Sequence, residues 1–274
     1  MPLVGFTCPK DDSKRKFDYC FKECKEHCQP LPLLLSLSQH RDVVPNRYSV
    51  TEILNPPQVV YLQRNNDYYE YPQNLIWTTF GTAWHSVIEG QEETLGEMGV
   101  LDNYGIEEPF KKEIDIGGST VTLTGRPDLY VKHTKTLWDF KTKKFYYDLK
   151  YLLERENWDE GKEIWQLNIY RVYKYPEAEK MKLCCLVKDW NRSVRDKYGV
   201  KPVEQLDVPW IDSGEVIKKV TELCALHMRC QENPETIPNC ADEDVWINRN
   251  GVPLRCTEYC YGREFCPQFK ERGK

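Results

Sequence analysis

With 274 residues, a 40% apolar share and charges that are interspersed rather than blocked, the chain has the composition of a folded protein and not of a disordered one. Its net charge of -5 gives no bulk attraction to nucleic acid, yet phosphate contacts are local, and Lys111, Lys112, Lys141, Lys143, Lys144, Arg192 and Arg195 are candidates to line a groove. The longest apolar run, Leu31 to Leu37, is far too short to span a bilayer, and no apolar stretch follows the first residues, so a cytoplasmic protein with no membrane partner is expected.

In chain order, residues 1–48 are rich in Cys, Lys and Pro and are expected to form an arm or small metal module. Residues 49–235 carry the regular periodicities of a core domain, and residues 236–274 form a cysteine-bearing closing segment. Phe80, Ala83, Trp84, Val87, Ile88 and Leu95 recur at helical spacing, which predicts an amphipathic helix with His85 and Glu89 one turn apart on a neighbouring face. Short β-prone stretches follow at 110–116, 119–124, 128–132 and 136–141, separated by Gly117-Gly118, Gly125 and residues 133–135, the pattern of a meander feeding a sheet. A helix is expected at 160–175, ended by Pro176, then a buried strand from Met181 to Lys188 and a last helix from Gly214 to Cys230. No G-x-x-x-x-G-K-[ST] phosphate loop occurs, so no nucleoside triphosphate is expected as a partner.

The chemistry concentrates in Gly125-Arg126-Pro127-Asp128, ten intervening residues, and Asp139-Phe140-Lys141. If 128–132 and 136–141 pair antiparallel, Asp128 and Asp139 converge on one edge. Asp139 and Lys141 then share a face, while Trp138 and Phe140 point to the core. Two carboxylates can hold a hard divalent cation such as Mg²⁺, and a lysine beside them can position an attacking water against a phosphate.

The arrangement resembles the RecB-like branch of the PD-(D/E)XK nuclease superfamily, including its CRISPR-associated and phage exonucleases. Gly81-Thr82-Ala83-Trp84-His85 with Glu89 is similar to that family's first helix, Gly125 to Asp128 to its GxxD strand, Trp138 to Lys141 to its [D/E]-x-K strand, and Gln166 with Tyr170 to its Q-x-x-x-Y helix. The resemblance spans roughly residues 49–266. It implies an α/β fold with a restriction-endonuclease-like core, a mixed central sheet flanked by helices. It further implies a Mg²⁺- or Mn²⁺-dependent DNA exonuclease serving recombination, repair or phage DNA processing, acting on ends or single strands or beside a helicase. Within it His85, Asp128 and Asp139 would be metal ligands, Glu89 a second-metal or water ligand, and Lys141 the water-positioning base. Gln166 and Tyr170 would touch the DNA or brace the site. Two other readings stay open: an endonuclease of the same superfamily, and a catalytically silent DNA-binding or assembly protein of the same fold.

Twelve cysteines in a reducing compartment argue for metal binding rather than disulfides. Cys240, Cys256, Cys260 and Cys266 suit a 4Fe-4S cluster or Zn²⁺, and Cys8, Cys20, Cys24 and Cys28 form a second quartet suited to a separate zinc site. In several RecB-like nucleases the fourth cluster ligand precedes the core, which would point to Cys28 or a neighbour in place of Cys240. One shared cluster joining the chain's ends is therefore the rival arrangement. Cys184, Cys185, Cys224 and Cys230 are expected to be small core residues.

Overall fold

A computed structural model describes residues 3–38, 42–150, 153, 161–248 and 250–272. The fold is α/β, with sheets and flanking helices divided between two compact units: residues 1–48, 55–79 and 223–274 form one, residues 49–54 and 80–222 the other. The first unit thus gathers both cysteine-bearing ends of the chain and a stretch from what the sequence reads as core.

In the first unit β1 (Leu3–Thr7) runs antiparallel to β2 (Lys14–Lys16), and α1 (Leu31–Leu37) and α2 (Pro57–Asn65) both begin behind a proline. β3 (Tyr68–Glu70) pairs parallel with the other edge of β1. Gly5 is needed at the β1–β2 contact, because a Cβ there would fall 2.0 Å from the Arg15 carbonyl oxygen. Leu3, Phe6, Leu34, Leu37 and Leu75 form this unit's apolar cluster, with Phe17 and Phe21 stacked beside them at 5.5 Å. The greasy run at Leu31 to Leu37 is therefore a core helix, and among the described residues no helix is long and apolar enough to cross a membrane.

α3 (Pro72–Glu89) leads toward the second unit, which contains β4 (Tyr104–Ile106), β5 (Phe110–Ile116), β6 (Ser119–Gly125), β7 (Leu129–Val131), β8 (Thr136–Lys143), α4 (Lys162–Tyr173), β9 (Lys180–Val187) and β10 (Val203–Asp207). Five strands form a mixed sheet in the order β10-β9-β8-β7-β4, with β8 and β9 parallel and the other neighbours antiparallel. A parallel pair needs a long crossover, and α4 lies within that connection. β9 is buried along most of its length, as expected of a strand in the middle of a sheet, and Cys184 and Cys185 are small core residues there. Cys224 and Cys230 on α5 (Ser213–Glu232) are likewise buried.

Three sequence expectations change. The four β-prone stretches do not form one meander: β5 and β6 make their own hairpin through Gly117 and Gly118, both at positive φ, and only β7 and β8 enter the five-stranded sheet. The helix foreseen from residue 80 to 95 starts earlier, at Pro72, and stops at Glu89, where Gly90 interrupts it before a short helix over Glu92–Glu97. Its apolar stripe is not uniformly buried, since Phe80 is 42% and Val87 57% exposed.

Candidate metal and phosphate site

Strand register builds the site. Leu129 pairs with Trp138 and Tyr130 with Leu137, so Asp128, one step before β7, falls across from Asp139 on β8. The chain reverses through a short turn at Lys132–Thr134 and a left-handed Lys135. Asp128 is fixed by its own edge: its Oδ2 accepts the Phe140 backbone N–H at 2.6 Å. Burial along β8 departs from simple alternation, because Asp139 is fully buried and Phe140 nearly so, while Trp138 is half-buried with the Lys182 ammonium 5.7 Å over its ring.

The same register logic brings in a residue that no sequence motif singles out. β4 pairs with β7 through Ile106 and Leu129, which sets Glu107 beside Asp128, and the Glu107 N–H donates to the Asp128 carbonyl at 3.1 Å. Glu107 is left-handed at φ 48°, a costly conformation for a residue with a side chain. His85 on α3 completes the trio, its Nδ1 lying 3.3 Å from Asp128 Oδ1 and 3.4 Å from Glu107 Oε1. Donor atoms of His85, Glu107 and Asp128 all lie within 4.8 Å of one another, the one such group of three among the described residues. Glu89, one turn from His85, is not among them. Its carboxylate binds Arg126 Nη2 at 3.0 Å, and the same guanidinium's Nε lies 3.0 Å from Glu107 Oε2. Glu107 therefore turns one oxygen to His85 and the other to Arg126.

Asp139 is held from two sides. Gln166 Nε2 donates to its Oδ1 at 3.0 Å, and Lys141 Nζ stands 2.6 Å from Oδ2 in an ion pair whose geometry leaves that oxygen without a hydrogen bond. Gln166 also reaches the Tyr170 hydroxyl at 3.3 Å, and both side chains are buried, so on α4 they brace Asp139. Gly125 belongs to the same packing: a Cβ there would sit 2.3 Å from Phe110 Cε1 and 2.7 Å from Tyr170 Cε1. Among the basic candidates, Lys143 is paired with Glu163 and Arg195 with Asp196.

Electrostatics follow from this packing. Burial, with Asp128 adding to it against the pull of Lys141, lifts the Asp139 carboxyl above the usual carboxylate range. Burial opposes the Lys141 ammonium, but Asp139 and Asp128 outweigh it, and the net shift is upward. Hydrogen bonds to Asp128 and then Glu107 lift the His85 imidazole to about 10. The trio is balanced by its own cations, His85 and Arg126, and as an oxygen-rich set with one imidazole it could take Mg²⁺ or Mn²⁺ in place of the His85 proton.

The C-terminal thiols lie in the first unit. Cys240, Cys256 and Cys260 cluster with Val59 and Val245, and the Sγ atoms of Cys240 and Cys266 both point at Gln58 Oε1, at 3.5 and 3.6 Å.

No protein-family model matches the chain, and no curated protein matches it. The chain is similar to a solved structure titled "Crystal structure of SSO0001", with a TM-score of 0.51 and 18% identity over 86% of this chain and 94% of that one. At that identity the likeness concerns the fold alone.

Proposed function

We propose that this protein is a divalent-metal-dependent deoxyribonuclease of the RecB-like PD-(D/E)XK type with a restriction-endonuclease-like core, an exonuclease acting on DNA ends or single strands. The observation that carries the reading is the convergence of His85, Glu107 and Asp128 within 4.8 Å beside the Asp139–Lys141 pair on the adjoining strand. A binding or assembly protein has no evident need for a fully buried carboxylate facing a lysine and a second acid.

His85, Glu107 and Asp128, with Asp139 alongside, would hold the cation. The imidazole favours Mn²⁺ somewhat over Mg²⁺. When bound, a divalent ion supplies Lewis acidity to the scissile phosphate and a coordinated water of lowered pKa. The chain's own residues do the positioning. Lys141, kept as an ammonium by Asp139 and Asp128, donates to the attacking water or to a phosphate oxygen and offsets charge as it develops. That role is orienting rather than proton-abstracting. Gln166 holds Asp139 so that its second oxygen faces Lys141, and Tyr170 holds Gln166. Arg126 fixes Glu107 through one oxygen and leaves the other turned to His85.

The closing thiols, Cys240, Cys256, Cys260 and Cys266, are proposed to hold a structural 4Fe-4S cluster or zinc. The support is that two sulfurs converge on Gln58 Oε1 and three pack into one buried cluster.

The test of function is incubation of the purified protein with end-labelled linear and closed circular DNA in Mg²⁺, Mn²⁺ or chelator. Metal-dependent loss of label from linear DNA alone is expected. Nicking of circles would make it an endonuclease, and inert DNA under every metal would overturn the nuclease reading.

A further inference from the structure

We infer that Lys143 is the contact for the phosphate next to the one being cleaved, and that the Glu163 carboxylate occupies that lysine until DNA displaces it; the inference rests on the nuclease reading. Strand β8 sets the geometry. Its parallel register with β9 runs unbroken from Asp139 opposite Leu183, through Lys141 opposite Cys185, to Lys143 opposite Val187. Asp139, Lys141 and Lys143 therefore stand on one face at successive alternate positions. Alternate residues of a strand lie roughly 6.6 Å apart, a span that one nucleotide of an extended single strand can cover. With Lys141 beside the proposed cation, Lys143 falls one phosphate further along the same row.

The helix opposite mirrors this row. Glu163, Gln166 and Tyr170 follow one another at spacings of three and four on α4, so they share its site-facing stripe. Gln166 holds Asp139, and one turn earlier Glu163 pairs with Lys143, with 19% and 16% of the Glu163 and Lys143 side chains left exposed. Burial opposes the Glu163 carboxylate, Lys143 outweighs it, and its pKa ends below the ordinary value, so the acid stays ionised at neutral pH. Glu163 also acts on Asp139 and Lys141, and the Cys185 thiol, opposite Lys141, feels Lys143, Asp139 and Glu163 together. The pair thus belongs to the charged row of the reaction centre and is not a remote surface contact.

An ion pair this enclosed adds little stability over apolar residues of similar size, so the fold alone does not account for both charges. Exchange of partners accounts for them. Without DNA the row holds two pairs, Asp139 with Lys141 and Glu163 with Lys143. A phosphodiester carries the same single negative charge as a carboxylate and accepts the same charge-assisted hydrogen bonds, so it can replace Glu163 on Lys143 without unbalancing the row. Glu163 stands in the first turn of its helix, where rotation of the side chain releases the lysine. The acid therefore competes with the strand, and its removal should raise affinity where removal of the lysine lowers it.

Binding of a fluorescent single-stranded oligonucleotide to the full-length protein in chelator, followed by anisotropy over a range of salt, tests this without cleavage. Lys143→Gln should weaken binding and make the slope of log affinity against log salt shallower by about 0.7, the loss of one phosphate contact on a single strand. Glu163→Gln should bind a few-fold tighter than the wild type, because nothing then competes for Lys143. Weaker binding in both variants, an unchanged slope in Lys143→Gln, or no binding by the wild type overturns the inference. Should Lys143→Gln fail to fold, the sign of the change in Glu163→Gln decides, since a pair that merely fastens α4 to β8 gives no tighter binding when broken. The expected binding shifts without any cleavage in Mg²⁺ or Mn²⁺ would strike the nuclease reading alone, whereas cleavage with the slope unmoved strikes this inference alone.

Discussion

At the five-stranded sheet, Asp128 and Asp139 are set opposite each other by strand register and tied down by the Phe140 N–H and by Gln166. Cys8, Cys20, Cys24 and Cys28 are instead carried by a tight turn, one helical turn and the segment behind it, and no three of their sulfurs lie within 4.8 Å of one another. The difference lies in where the organising energy comes from. A ladder of backbone hydrogen bonds and a packed helix hold the carboxylates, so a cation bound there would meet a prepared site. Turns of a few residues supply little burial, so an ion held by those thiols would have to supply part of the fold.

The largest effect expected from that contrast is chemical and confined to the sheet. Asp139→Ala or Lys141→Ala should lower cleavage by more than about a hundredfold while DNA retention in a gel shift is kept, the size of loss seen when a preorganised charge-stabilising group is removed. Undiminished cleavage in either variant would show that the sheet site is not the reaction centre.

Next comes a pair of glutamates that separates register from helical spacing. Glu107→Gln should weaken apparent Mn²⁺ affinity by at least about tenfold in a metal titration, on the scale of losses at metal-supporting residues. Glu89→Gln removes only a partly exposed contact with Arg126, worth about 1 kcal/mol or less, and should change cleavage little. The reverse order of effects would return Glu89 to the site and remove Glu107.

Gly125→Ala tests packing behind the site. The added methyl meets Phe110 and Tyr170, and a loss of about 1–3 kcal/mol in denaturant unfolding is expected, as for other overpacked positions. Unchanged stability would mean that the approach of β6 to Tyr170 is not constrained.

The smallest effect is a pH dependence of the metal-free protein. The folded pKa of His85, about 10, lies above its ordinary value of 6.5, so its contribution to stability is complete below 6.5 and is lost as pH rises toward 10. His85→Asn should flatten that decline in thermal midpoint, and an equal decline in both proteins would discard the ion pairs of His85 as its cause. Because ligation needs neutral imidazole, apparent metal affinity should rise over the same interval.

Much of the site is legible in the amino-acid sequence. Asp139 and Lys141 stand two apart in a β-prone run, so they share a face wherever that strand lies. Residues 133–135 mark the chain reversal between the two strands, whereas Gly125, read from the sequence as a turn, is the last residue of β6. Gln166 and Tyr170 share a helix face by their spacing of four, and that face is the one turned to Asp139. Glu107 is not legible, because it lies in a loop with no periodicity and reaches Asp128 only through the pairing of β4 with β7. The need for glycine at 125 is also hidden, since turn preference and close packing leave the same letter.

The amino-acid sequence by itself determined the local geometry: which residues repeat every two or every three to four positions, where the chain turns, and which acids and thiols are near neighbours along it. Only tertiary structure decided which of these meet. The register of β4 on β7 chose Glu107 over Glu89, and the approach of the Cys240 and Cys266 sulfurs to Gln58 joins residues far apart in the chain. The physical reason is that local spacing is set by backbone geometry, whereas long-range proximity is set by which surfaces can be buried together.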